Sequence, residues 1–304
     1  MTDTVLILSD RPDRQVKQLR SSLRSLRLNG LALALADIGF DSRYPSGIAI
    51  PRMNGALPAA VIVRSISSGS FEAITRRLGI LHAFGQLGIP VWNSAKAIER
   101  CVDKSTTTFL LAQAGLPTPD TFAVESLVNA RAIAERELVH GPLVLKPLFG
   151  SQGRGIRLIR SLEDLPAPEE VDDVYYLQRF VARPGPPYCD YRVFTCAGQV
   201  VGMMARCAEG WITNMAKGAK AQPVTGALRA KLEELGLAAS AAIGTDFAGI
   251  DIIPAADGRL HVLEVNSMPA WTGLQSVVPV RIADCIANAL AASIVQDLGE
   301  RPAA

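Results

Sequence analysis

"VLKPLFGSQGRGIRLI", residues 144–159, sets Gly150, Gly153 and Gly155 within six positions between two apolar runs. A dinucleotide-binding fingerprint needs a helix after such a loop. Here the next residues, "IRLIR", have strand character. A P-loop ends in Gly-Lys-Ser/Thr, whereas Arg154 is followed by Gly155. Two readings remain for a glycine-rich loop between two strands. One is an ordinary hairpin turn. The other is an anion cradle, because glycine lets backbone N–H groups converge without a Cβ in the way; Ser151 and Arg154 would add donors. Lys146 enters the loop from an apolar strand, where a lysine is costly to bury unless an anion pairs with it. A lysine snorkelling from a sheet edge is the alternative.

A second stretch bears on the choice. "GIDIIPAADGRLHVLEVN", residues 249–266, reads as a hairpin around Asp257-Gly258. Glu264 and Asn266 are two apart on one strand and share a face, and hairpin pairing can bring Asp251 beside them. Two carboxylates and an amide oxygen among Ile, Val and Leu are hard ligands suited to Mg²⁺ bridging nucleotide phosphates. Polar residues on a solvated sheet face are the competing reading. His82, His140 and His261 are scattered and are expected to be structural.

The 304 residues carry 31 Lys plus Arg against 29 Asp plus Glu, which argues against general nucleic-acid binding. Five cysteines, Cys101, Cys189, Cys196, Cys207 and Cys285, show no CxxC spacing and read as free thiols, not as a disulfide framework or zinc site. No stretch resembles a signal peptide, and the apolar run near 282–295 is too short and polar to span a bilayer. The expectation is a cytoplasmic protein with no membrane and no nucleic-acid partner. Strands alternating with helices in the first third imply a parallel sheet: "TVLIL", a helical stretch over 13–30, "AAVIVRS", a helix closed by Gly88, and "IPVWN". The expected fold is mixed α/β and α+β, divided into an N-terminal α/β domain (1–100), a middle domain (101–175) and a C-terminal domain (176–304). Arg64 falls at the C-terminal end of a parallel strand, where open α/β sheets place ligands.

Taken in order, "CVDKSTTTFLLAQAGLPTP", "VLKPLFGSQGRGI", "YLQRFV", "DYRVFTCAGQVVGMMAR", "WITNMAKGA", "FAGIDII" and "LEVNSMPAW" resemble the ATP-grasp superfamily, specifically the RimK-like glutamate ligases. The resemblance covers almost the whole chain. It implies an ADP-forming ligase that clamps ATP between two sheets and joins the amine of L-glutamate to an acceptor carboxylate through an acyl phosphate. Lys104 and Lys146 would hold the phosphates. Gln178, Arg179, Phe180 and Val181 would form the adenine hinge, and Asp190 would meet the ribose. Arg192 and Arg206 would neutralise reacting groups, with Asn214 and Lys217 lining the joint between nucleotide and substrate. Asp251, Glu264 and Asn266 would bind two Mg²⁺ ions, or Mn²⁺. The loop bearing Gly150, Ser151, Gly153, Arg154 and Gly155 would close over the phosphates. Relatives of this kind assemble as dimers or tetramers.

The chain departs from the family pattern where substrate should sit. Ile212 and Lys217 stand where arginine is usual, and Met268, Ala270 and Trp271 alter the segment after Asn266. An exposed Trp271 would offer a platform for a flat acceptor such as tetrahydromethanopterin, with packing as its other reading; Arg64 is a further substrate candidate, or a structural ion pair. A protein-tail acceptor and a non-catalytic nucleotide-binding protein are the remaining alternatives.

Overall fold

The opening run TVLIL has no polar alternation, the pattern of a strand covered on both faces, and it forms β1 (Thr4–Leu8), buried throughout. The computed structural model describes residues 3–150 and 153–300, with side chains as far as 295. α1 (Arg14–Ser25) starts where the Asp13 carboxylate accepts the Val16 N–H at 2.8 Å. Then come β2 (Asn29–Leu33), a small flap of β3 (Gly39–Phe40) and β4 (Ile48–Ala49), β5 (Ala60–Val63), α2 (Phe71–Gln86) and β6 (Val91–Trp92). The sheet order is β2-β1-β5-β6, all parallel. Order reverses between β1 and β5, which opens a crevice beyond their C-terminal ends.

The helix expected to run on to Gly30 stops five residues earlier. Arg27 takes a left-handed φ of 61° and the chain turns into β2. The run "LALALA" carries no β-branched residue, so its strand signal is weak; pairing with β1 overrides the helical preference of Leu and Ala.

α3 (Ala95–Val102) and α4 (Lys104–Gln113) meet at Asp103, which caps the second through the N–H groups of Ser105 and Thr106. Past "LPTP" follow β7 (Thr121–Val124), α5 (Leu127–Glu137), β8 (Leu143–Lys146), β9 (Arg157–Ile159) and β10 (Tyr175–Arg179), in an antiparallel sheet of order β7-β10-β8-β9. A boundary at 175/176 would strip β10 from this sheet, so we place the proposed division after Arg179. The sheet has its own core of Ala130, Ala134, Leu143, Leu145, Ile159, Tyr175 and Leu177.

The third sheet is antiparallel, β13-β12-β11-β14-β15. It comprises β11 (Tyr188–Cys196), β12 (Gln199–Ala208), β13 (Lys220–Pro223), β14 (Phe247–Pro254) and β15 (Leu260–Asn266), with α6 (Leu228–Ile243) between β13 and β14. α7 (Thr272–Gln275) and α8 (Ile282–Glu300) end the chain. α8 returns to α1, where Ser22 donates to Asp284 at 2.5 Å. One continuous core joins Val5 and Ile7 of β1, Leu19 and Leu23 of α1, Phe194, Phe247, Trp271, and Ile286 and Leu290 of α8.

Two expectations are corrected here. Cys189 and Cys207 occupy opposite positions on β11 and β12 and form a disulfide, leaving Cys101, Cys196 and Cys285 as thiols. Register, invisible in sequence spacing, makes that pair. Trp271 is not exposed: it is 1% accessible and belongs to the shared core. Among the described residues no helix is long and apolar enough to cross a membrane.

Candidate active site

Strand pairing lays one row of charge across the third sheet. Arg206 on β12 faces Asp190 on β11; Arg192, two residues on, faces Asp251 on β14; Asp251 faces Glu264 on β15. The β14–β15 register is regular from Gly249/Asn266 to Asp251/Glu264, which sets the two carboxylates directly opposite each other, and it slips in a bulge just after that pair. Asn266, two residues beyond Glu264, is paired with Gly249.

The aspartates are committed to arginines. The Asp190 carboxylate takes Arg206 Nε and Nη2 at 2.7 and 2.8 Å and the Thr213 hydroxyl at 2.7 Å. Asp251 is gripped by Arg192 Nε, by Arg192 Nη2 at 2.8 Å, and by Arg206 Nη2 at 3.0 Å. Burial pushes the Asp251 carboxyl up, but the two guanidinium groups outweigh it and hold it at about 2. Glu264 makes no hydrogen bond among the described residues. Burial, and then the charge of Asp251, push its pKa up against the pull of Arg192, Lys104 and Lys146. Asn266 Oδ1 accepts the Met268 N–H at 2.9 Å, which leaves a lone pair.

The opposing wall comes from the middle sheet. Lys146 Nζ donates to Gln178 Oε1 at 2.6 Å, and burial pulls its pKa down to about 8. Lys104 Nζ donates to the carbonyls of Leu148 and Gly150, both at 3.0 Å, and so ties down the root of the glycine loop. Gly153 and Gly155 have φ of 67° and 70°. A Cβ on Gly155 would lie 2.7 Å from Pro147 Cγ, and one on Gly153 would lie 3.1 Å from Ile212. The loop therefore rests on the third sheet's side of the cavity, with the departing residue Ile212 beneath it. Ser151 lies outside the described residues.

One cavity between the two sheets gathers most of the expected residues: Lys104, Lys146, Gly150, Gly153, Arg154, Gln178, Arg179, Phe180, Val181, Asp190, Arg206, Asn214, Asp251 and Glu264 all line it. Arg179 turns its guanidinium away to Glu137, 2.5 Å from Nη2. Lys217 does not line the cavity; it stands behind Gly153, its Cε 3.8 Å from where a Cβ there would lie. Arg64 and Trp271 are elsewhere, packed on each other with the guanidinium carbon 4.4 Å from the ring centroid. Sequence reading missed Trp211, whose ring meets Phe180 edge-on at 5.6 Å, and Arg183, which donates to the carbonyls of Trp211 and Cys189. Both line the cavity; the aromatic before Ile212 was the available signal. It also missed Asn93, fully buried, which bonds the Phe247 and Ser267 carbonyls at 2.8 and 2.6 Å and so fastens β6 to the strand carrying Asp251 and to the segment after Asn266.

A cavity with two lysines on one wall, a free carboxylate on the other and a glycine loop at its mouth suits a polyphosphate with its metal. Among the described residues no three His, Cys, Asp or Glu side chains cluster as a closed metal site. Asp251 and Glu264 line the cavity, while Asn266, two residues along β15 from Glu264, is not among its lining residues.

Fold and cavity together define an enzyme that holds a nucleotide between two antiparallel sheets. Residues 101–290 match the RimK-like ATP-grasp domain, and the chain belongs to that family of ATP-dependent ligases, which form C–N bonds. It is 32% identical over 248 residues to the tetrahydromethanopterin:alpha-L-glutamate ligase of Methanosarcina acetivorans, covering 71% of this chain and 74% of that one. It is 34% identical over 195 residues to the alpha-aminoadipate–LysW ligase LysX of Saccharolobus solfataricus, covering 61% and 68%. The fold matches that of the ATP-grasp ligase PsnB complexed with minimal precursor, with a TM-score of 0.70 at 21% identity over 96% of this chain and 99% of that one.

Proposed function

We propose that this protein is an ADP-forming ligase that joins the amine of L-glutamate to a carboxylate of a small-molecule acceptor, a pterin cofactor of the tetrahydromethanopterin type. The observation that carries the reading is the pairing of the lysine-lined, glycine-capped cavity with the free Glu264 carboxylate. The choice of glutamate and pterin rests on similarity to ligases so named.

A carboxylate is a poor acyl donor because its leaving group would be oxide. An acceptor carboxylate oxygen attacks the terminal phosphorus of ATP, and the bond to the bridging oxygen breaks to release ADP. The glutamate nitrogen then attacks the acyl carbon, phosphate leaves with the C–O electron pair, and the nitrogen loses a proton to give the amide. Lys104, Lys146 and the loop N–H groups bind phosphate oxygens, while Arg206, on the cavity lining, faces the charge that builds up on transfer and Arg192 acts from behind it through Asp251. Mg²⁺, as two ions held by Asp251, Glu264 and Asn266, would supply further neutralisation of the phosphates. Trp211 and Phe180 enclose the base. We infer cytoplasmic action and a homo-oligomer.

The test is release of ADP and phosphate from ATP that requires both glutamate and the acceptor. Release of AMP and pyrophosphate would overturn the mechanism. Similarity to a ligase named for alpha-aminoadipate and LysW favours a second reading, in which the amino acid differs or the acceptor is a protein tail; a panel of both distinguishes them.

A further inference from the structure

Arg64 is 7% exposed and Gln15 beside it 5%. Arg64 Nη2 donates to Gln15 Oε1 at 2.6 Å and to the Pro269 carbonyl at 2.9 Å. Its Nε and Nη1, and the Gln15 amide nitrogen, are buried with no partner among the described residues. Buried polar groups are almost always satisfied, and orphaned ones call for an explanation. Among the described residues no carboxylate is bonded to the charge. Every idle group here is a donor, so what fits is an acceptor-only, negatively charged group: a carboxylate.

The location is as telling. Arg64 directly follows β5, at the crevice where strand order reverses between β1 and β5. Its neighbour Pro269 lies three residues past Asn266. A Cβ built on Gly249 would fall 2.9 Å from Pro269 Cβ and 2.7 Å from Arg192 Nη1. Arg64 and Arg192 thus both approach the neighbourhood of Pro269, one from the first sheet and the other from the charged row. The segment between is irregular: residues 267–270 have no strand pairing of their own, and Ala270 is exposed while Ser267 and Pro269 are buried. Trp271 closes the other side by stacking on the guanidinium. A purely structural Arg64 would need only the Nη2 bonds and the stacking.

We propose that Arg64, with Gln15, is the receptor for a carboxylate of the amino-acid substrate. The inference rests on the ligase reading above. In that reaction the acceptor's carboxylate is consumed at the phosphates, while glutamate reacts through its amine and keeps two carboxylates to be recognised. Arg64 is a binding residue of the amine-bearing substrate, separate from the nucleotide cavity.

The experiment compares Arg64→Gln, Arg64→Lys and Gln15→Met with the parent protein by steady-state ADP release, varying glutamate, acceptor and ATP in turn. Loss of a hydrogen-bonded charge predicts a glutamate KM raised about 10- to 100-fold in Arg64→Gln, partial recovery in Arg64→Lys, and a smaller rise in Gln15→Met. The KM values for ATP and acceptor should stay within about threefold. Thermal shift supplies a second readout: glutamate should raise the Tm of the parent but not of Arg64→Gln, while Mg·ATP raises both. Glutamine and isoglutamine, each lacking one carboxylate, identify which one is held. An unchanged glutamate KM, a rise in acceptor KM instead, or equal loss of the ATP response overturns the inference. Should the parent release no ADP with glutamate and any acceptor, the glutamate reading fails by itself. The site is then judged by thermal shift against a panel of amino acids: a shift lost in Arg64→Gln supports it, and no shift, or one retained, overturns it.

Discussion

Lys146 reaches from β8 to the Gln178 side chain on β10 at 2.6 Å, diagonal neighbours on the face of the middle sheet that looks into the cavity. The hydrogen bond holds the ammonium in place, but burial lowers its pKa to about 8. Without nucleotide the charge is therefore lost as pH rises through about 8. Phosphate binding favours the charged form, so binding above that pH must take up a proton. We expect the Kd for Mg·ATP to rise with pH above about 8, by up to ~10-fold per unit. Titration calorimetry in buffers of different ionisation enthalpy should find proton uptake at pH 9 and little at pH 7. Equal uptake at both would remove Lys146 as the titrating group.

Glu264 is kept unpaired at a cost. Its pKa is raised, so the folded protein holds the proton more tightly than the unfolded chain does, and the fold loses stability as rising pH ionises the group. Glu264→Gln should raise the Tm of the nucleotide-free protein, remove the stabilisation by Mg·ATP, and cut turnover by ~10³-fold or more. A lower Tm together with retained turnover would contradict both parts.

Trp271 is a core residue, edge-on to Phe194 at 6.2 Å, with Nε1 donating to Gln18 at 3.0 Å. Trp271→Ala should cost about 3–5 kcal/mol of stability by denaturant unfolding. A surface platform would show a change of less than about 0.5 kcal/mol.

The Cys189–Cys207 disulfide closes a loop of separation 18 and flanks the Asp190–Arg206 pair. Cys189→Ser, or reductant, should lower stability by about 3 kcal/mol. Thiol titration of the unfolded, unreduced chain should find Cys101, Cys196 and Cys285 and nothing more.

What could be read in advance follows from how far each signal reaches along the chain. The glycine loop, Lys146, and the Asp251, Glu264 and Asn266 hairpin were legible because their chemistry is local to a strand or a turn. β2 was hidden because Leu and Ala carry little strand preference. The Cys189–Cys207 bond and the engagement of Asp190 with Arg206 depend on register between β11 and β12, and the sequence of either strand alone does not set it. Trp271 stayed open between platform and packing because its burial comes from α1, α8 and Phe194 converging on one point, and the Gln18 bond alone spans 253 residues. Asn93 and Trp211 gave only a polar residue after a strand and an aromatic after a turn.

The core shared by β1, α1, α8, Phe194, Phe247 and Trp271 has a mechanical consequence. The three larger sheets pack as two bodies. The first and third are welded through apolar packing and through the Asn93 and Arg64 bonds to the segment after Asn266, while the middle sheet keeps its own interior. The middle sheet joins the rest of the chain through the crossings near 114–120 and 180–187, so we expect any opening of the cleft to be carried by that sheet. Asp251, Glu264 and Arg64 belong to the same packed body, so their spacing should not depend on where the middle sheet stands.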